Sequence, residues 1–192
     1  MKRRKGCLRP VLIILFTVLL LYFTVGEGKT VIMQQIYPVK FQDYVEKWAD
    51  EYLLDRYLVY SVIKIESGFD PDAESHAGAK GLMQLMDKTA EECNTKEGFG
   101  YNIPDDLFEP EKNIRVGCSY LRKLMDTYEN MELAITAYNA GTGNVKKWLQ
   151  NEELSDGEGG LVSIPYEETD KYVDKVMKAY RIYTRLYKEN SL

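Results

Sequence analysis

Residues 110–128 read PEKNIRVGCSYLRKLMDTY. Ile114, Gly117, Cys118, Leu121, Leu124, Met125 and Tyr128 recur at intervals of three and four, which places them on one face of an α-helix. The same period continues on both sides. Downstream, Asn130 can cap a helix carrying Leu133, Ala134, Ala137 and Tyr138, and Gly141 can end it. A short helix follows with Val145, Trp148 and Leu149, then a flexible loop from Ser155 to Gly160. Pro165 opens a final helix with Thr169, Tyr172, Val176, Tyr180, Tyr183 and Tyr187 along one side.

Upstream, the pattern from Phe41 to Ile65 is helical. Phe41, Val45, Trp48 and Tyr52 form one run, and Leu54, Leu58, Val62 and Ile65 a second. Gly68 offers a helix stop, and residues 68–81 read as loop. Thr89-x-x-Glu92 has the form of a capping box for a short helix. Strand alternation is nearly absent, so the fold class is all-α or α-dominated.

Composition narrows the function. The 192 residues are 45% hydrophobic and 29% charged, enough for one domain with its own core plus an appendage. The net charge is −5, yet Lys2, Arg3, Arg4, Lys5 and Arg9 all precede the first apolar run. The remainder is therefore acidic, which argues against nucleic acid as a partner, because phosphate contacts need clustered Lys and Arg. Three cysteines do not make a disulfide framework. Cys93 and Cys118 read as two separate buried thiols, with pairing open if the domain is extracytoplasmic. His76, the single histidine, lacks partners for a metal or nucleophile system and reads as a surface loop residue. No metal site and no cofactor motif is expected.

Residues 11–25, VLIILFTVLLLYFTV, carry no charge. The run ends in bulky residues without a small-residue cleavage pattern, so it reads as an uncleaved anchor helix over Leu8–Val25. The basic residues before it would stay in the cytoplasm. Cys7 precedes the run instead of closing it, which argues against a lipoprotein. The expected organisation is a basic tip and anchor over residues 1–28, a tether without clear periodicity over 29–40, and a catalytic domain over 41–192.

The residue with the most chemical content is Glu66. Leu58, Val62 and Glu66 are spaced i, i+4, i+8, so the carboxyl lies on the core-facing stripe near a helix C-terminus. Burial and the helix dipole both disfavour the ionised form and raise its pKa. An acid tuned toward neutral pH is what proton-transfer catalysis requires. The Gly78–Gly81 turn can bring backbone close to a ligand, and Gln84 with flexible Met83 and Met86 suits an amphipathic groove. Plain core packing is an equal reading for the two methionines. The tyrosines, fifteen in all, fall mostly at helical core spacing, so packing is their first reading, Tyr172 included.

Four motifs stand in order: Glu66-Ser67-Gly68-Phe69; Ser75-His76-Ala77-Gly78-Ala79-Lys80-Gly81-Leu82-Met83-Gln84-Leu85-Met86; Ala137-Tyr138-Asn139-Ala140-Gly141; and Ile164-Pro165-Tyr166-x-Glu168-Thr169-x-x-Tyr172-Val173. Together they resemble the soluble lytic transglycosylases, which share a lysozyme-like, goose-type α fold. The match runs from about Phe41 to about Tyr187. The resemblance implies cleavage of the β-1,4 bond between N-acetylmuramic acid and N-acetylglucosamine in peptidoglycan glycan strands. It implies a 1,6-anhydro product and a single catalytic carboxyl, matched by Glu66, acting as acid and then base. It also implies assistance by the substrate's 2-acetamido oxygen, which lets a glycosidase work without a second carboxylate.

The resemblance also places Tyr138 facing the glutamate, Ser75 near the acid, and Gln84, Met86, Asn139 and Glu168 among the substrate-binding residues. Each has a second reading. Tyr138 sits on an apolar face, Asn139 at a helix end, and Glu168 at a helix N-terminus where negative charge is favoured anyway. Asp87 stands where the family commonly has proline, and can serve as a helix cap.

Overall fold

A computed structural model of the chain describes Leu15, Thr17 and residues 28–188. The anchor read over Leu8–Val25 lies, apart from Leu15 and Thr17, outside the described residues, as does Cys7. Among the described residues no helix is long and apolar enough to cross a membrane. Residues 28–36 are helical, within the stretch read as a tether without clear periodicity. The chain divides after Pro38, and the second unit begins at Val39.

That domain is built from seven α-helices among the described residues, with short 3₁₀ and π segments. The pattern over 41–65 splits in two. Helix α1 spans Gln42–Glu51 and buries Val45, Trp48 and Ala49. The backbone breaks at Leu53, which has φ 51° and is exposed. Helix α2, Arg56–Glu66, starts afresh because Asp55 accepts the Tyr57 N–H at 2.8 Å. Such a cap is worth about 1 kcal/mol. Every residue from Tyr57 to Ile63 is buried, so α2 is the central helix of the domain. The Ser61 hydroxyl, at its heart, is satisfied by donating to Tyr57 O at 2.6 Å.

Helix α3, Asp87–Glu97, begins before the expected capping box, and Thr89 lies inside its first turn. Met86 holds the N-cap position with no side-chain bond. Asp87 is the first helical residue and takes the Lys80 ammonium at 2.8 Å instead of capping. Helix α4, Pro110–Tyr128, has the expected stripe, with Ile114, Cys118, Leu121 and Leu124 fully buried. Helix α5, Met131–Ala140, is capped by Asn130, which accepts from Leu133 N at 3.1 Å. Gly141, φ 82°, turns the chain into α6, Thr142–Leu149. Helix α7 spans Glu167–Tyr183; it starts two residues beyond Pro165, with Tyr166 at the N-cap.

The connection before α7 is more ordered in its bonding than a flexible loop. Ser155 bridges Leu161, and the Asp156 carboxylate accepts from Glu158 N and Gly160 N at 2.8 and 2.7 Å. No regular strand occurs among the described residues; Glu74, Lys80 and Leu85 make isolated bridges. Cys93 and Cys118 are both buried free thiols.

Helix α2 packs along α7, and α5 packs against both α4 and α7. The contact between α2 and α7 is partly polar: Tyr180 donates to Asp55 at 2.8 Å. Tyr60 stacks on Tyr183, and Tyr183 on Tyr187, so these tyrosines are packing residues as read. The loop over 68–86 then folds back over the C-terminal end of α2.

Candidate active site

Glu66 is the last residue of α2, and Ser67 is its C-cap. The apolar spacing of α2 leaves the Glu66 side chain half-buried at the helix end. Its partner comes from α7: the Tyr172 hydroxyl donates to Glu66 Oε1 at 2.6 Å. Tyr172 is 8% exposed, so this bond sits away from bulk water. Loss of hydration pushes the Glu66 carboxyl up to about 7, and the Tyr172 hydrogen bond works in the opposite direction. Burial dominates because one donated hydrogen bond does not replace the solvent shell of a carboxylate. The same surroundings, and then the Glu66 charge, push the Tyr172 hydroxyl well above its ordinary range.

Tyr138, expected to face the glutamate, is close enough for the Glu66 charge to raise its pKa further after burial has done so. Its hydroxyl, however, donates to Met83 O at 2.8 Å. The hydroxyl on Glu66 is therefore Tyr172's, a residue read from the sequence as packing. It had a signal in the Glu168-Thr169-x-x-Tyr172-Val173 motif, but its place on an apolar stripe concealed it.

The loop facing this end of α2 is held by its own bonds. Ser75 N and Oγ both join Ala79, the former to its carbonyl at 2.9 Å, the latter accepting its N–H at 3.0 Å. Ser75 thus shapes the turn over 75–79. Gln84, with φ 44°, donates its side-chain amide to Ala73 O and Gly81 O, both at 3.0 Å. Only its Oε1 is left for a ligand. Met83 is fully buried, and a methyl on Gly117 of α4 would overlap its sulfur. Met86 is 45% exposed. The two methionines of this motif therefore divide, one to the core and one to the surface.

Asn139 is exposed on α5, with its Oδ1 accepting from Thr169 Oγ1 at 2.8 Å. That bond aims its amide N–H groups away from Thr169. Glu168 is exposed in the first turn of α7, one turn before Tyr172. Tyr166 is half-exposed beside it, its ring edge-on to Trp148 at 4.9 Å. His76 is exposed in its loop. No group of three or more His, Cys, Asp or Glu side chains fit to hold a metal is found among the described residues. What the arrangement offers is a protonatable carboxyl, a phenol hydrogen-bonded to it, and a hydrogen-bonded loop opposite.

The domain is helical, a half-buried acid ends its central helix, and its likeness to solved lytic transglycosylases makes the fold lysozyme-like. The family model described as "Transglycosylase SLT domain" matches residues 43–158, and the chain belongs to that family. It is 33% identical over 160 residues to the soluble lytic murein transglycosylase of Escherichia coli strain K12, covering 81% of this chain and 24% of that protein. It is 31% identical over 169 residues to the membrane-bound lytic murein transglycosylase C of Edwardsiella ictaluri, covering 77% of this chain and 47% of that one. Its fold matches the lytic transglycosylase Slt of Pseudomonas aeruginosa, solved as an inactive glutamate-to-glutamine mutant. The TM-score is 0.71 at 33% identity, over 78% of this chain and 24% of that chain. The chain thus spans a quarter to a half of the length of these relatives.

Proposed function

We propose that this chain is a peptidoglycan lytic transglycosylase with Glu66 as its one catalytic carboxyl. The observation that carries the reading is the Glu66 side chain itself: half-buried, raised to about 7, and bonded to Tyr172. Near neutral pH such a group is populated in both protonation states, as a residue that first gives and later takes a proton must be.

In the first step the protonated Glu66 carboxyl donates to the glycosidic oxygen between N-acetylmuramic acid and N-acetylglucosamine. The C1–O bond breaks, and the 2-acetamido oxygen of the muramyl unit stabilises the positive charge at C1. In the second step the ionised Glu66 takes the proton of the muramyl 6-hydroxyl, whose oxygen attacks C1 and closes the 1,6-anhydro ring. Glu66 ends as it began, and no water is consumed. Tyr172 suits the intermediate stage, because its bond is strongest when Glu66 is ionised. Asn139, Glu168, Met86 and the loop with Ser75 and Gln84 would line the groove that holds the glycan.

The apolar run over Leu8–Val25 is proposed to anchor the chain, with the catalytic domain outside the membrane. High-salt washing should leave the full-length chain with the membranes. A soluble species with a new N-terminus near residue 26 would overturn the anchor.

The enzyme reading is tested by digesting purified sacculi and weighing the muropeptides. Anhydromuramyl products, each lighter by one water than a hydrolytic product, are expected. Hydrated reducing ends alone would make the chain a muramidase of the same fold.

A further inference from the structure

The Leu82–Met83 peptide is gripped from both sides. Ser67 Oγ donates to Leu82 O at 2.8 Å, and Asn113 Oδ1 accepts the Met83 N–H at 2.8 Å. A trans peptide is planar, with its N–H and C=O pointing opposite ways. Fixing the N–H toward α4 therefore aims the C=O back toward Ser67, the residue after Glu66. The bond at the N–H also polarises the carbonyl, which makes it a better acceptor.

Asn113 holds both this peptide and the turn that precedes it. It is fully buried in the first turns of α4. Its Nδ2 donates to Lys80 O at 3.0 Å and to Leu107 O at 2.8 Å. Lys80 and Leu85 close the turn with two backbone bonds of 3.0 Å, and the Asn113 carboxamide fills its inside. Gly81, φ 70°, leaves the room, since a methyl there would overlap Leu107 O and Asn113 Nδ2.

We propose that Asn113 is a positioning residue of the transglycosylase centre: through the Leu82–Met83 peptide it sets Ser67, and with it the helix end that carries Glu66. This rests on the proposed role of Glu66. Asn113 meets no substrate. Without it the peptide plane is free to turn, and Ser67 Oγ falls back on Ile63 O, its weaker partner at 3.2 Å. Glu66 then loses its set position against Tyr172 and the scissile bond.

The test uses the full chain with Asn113→Ala, Ser67→Ala, the double variant, and Val45→Ala as a buried control on α1. Turnover and half-saturating concentration on sacculi are measured where each variant is folded by thermal melt. Carbon-13 carboxyl NMR follows the titration of Glu66 in each. Asn113→Ala and Ser67→Ala should each lose roughly 10- to 100-fold in kcat with little change in KM. Each should move the Glu66 midpoint by about half a unit or more. The double variant should cost no more than the worse single, because both act through one peptide. Val45→Ala should change neither turnover nor midpoint.

Wild-type kcat and an unmoved midpoint in a folded Asn113→Ala would overturn the proposal. Should that variant fail to fold, Ser67→Ala decides alone, since the route runs through Ser67. A wild-type chain inactive on sacculi would sink the enzyme reading, while the Glu66 titration would still decide the positioning.

Discussion

The Tyr172 hydroxyl donates to Glu66 Oε1 at 2.6 Å across 106 residues of sequence. It ties the end of α2 to α7. The bond favours the carboxylate, while burial favours the acid, and burial prevails. Glu66 therefore stays poised near neutrality, with its charged form not abandoned.

Activity should follow the protonation of Glu66. In the proposed mechanism the acid form breaks the glycosidic bond, so kcat/KM should fall as pH rises through about 7. Glu66→Gln should reduce turnover by roughly 10²- to 10⁴-fold and leave the helical circular dichroism unchanged. A turbidity assay on sacculi with a parallel melt checks this; retained lysis would defeat the assignment.

The same carboxyl makes stability depend on pH. The folded value of about 7 lies above the ordinary 4.5. Between these values the folded chain holds a proton that the unfolded chain has released. This contribution is complete below 4.5 and is lost as pH rises to about 7, with an upper limit of about 3 kcal/mol. Glutamine has no proton to lose. Glu66→Gln should therefore melt above wild type at pH 8, and the gap should shrink toward pH 4.5. An equal or lower melting temperature at pH 8 would show that burial costs Glu66 nothing.

Tyr172→Phe should raise the Glu66 midpoint, because the lost hydrogen bond had favoured the ionised form. A charge-assisted bond of this kind is worth a shift of about one unit. The alkaline limb of the pH–rate profile should move up, and maximal turnover should fall as the base form loses its support. A limb that moves down would remove Tyr172 from this role.

Two glycines on helices offer a contrast in packing. A methyl on Gly117 would meet the Met83 side chain, whereas nothing lies within 4 Å of one on Gly143. Gly117→Ala should cost about 1–3 kcal/mol, the usual penalty for overfilling a core. Gly143→Ala should be neutral, or stabilise by about 0.4–1 kcal/mol through the unfolded chain. Urea melts of both variants measure the difference; equal midpoints would mean that Met83 yields freely.

Local chemistry made much of the fold legible. The caps at Asn130 and Gly141, the stripe of α4 and the end of α2 before Gly68 involve neighbours within one or two turns. The break between α1 and α2 was harder to see. Its cause is Asp55 capping a new helix inside a continuous apolar pattern, with Leu53 turned out to solvent. Asp87 read as a cap, yet Lys80, seven residues back, claims it as an ion-pair partner. Gln84 read as a groove residue, yet its amide is bound to its own loop. Each has more than one possible partner, and spacing along the chain does not choose between them; Gln84 still keeps its Oε1 for a ligand.

From the sequence alone came a helical domain and a glutamate ending an apolar helix, because both follow from spacing along one segment. The choice of Tyr172 over Tyr138 as the hydroxyl on Glu66, and the burial of Asn113 beneath the loop, came only with the tertiary structure. Those contacts join segments far apart in the chain, and their geometry depends on how whole helices pack.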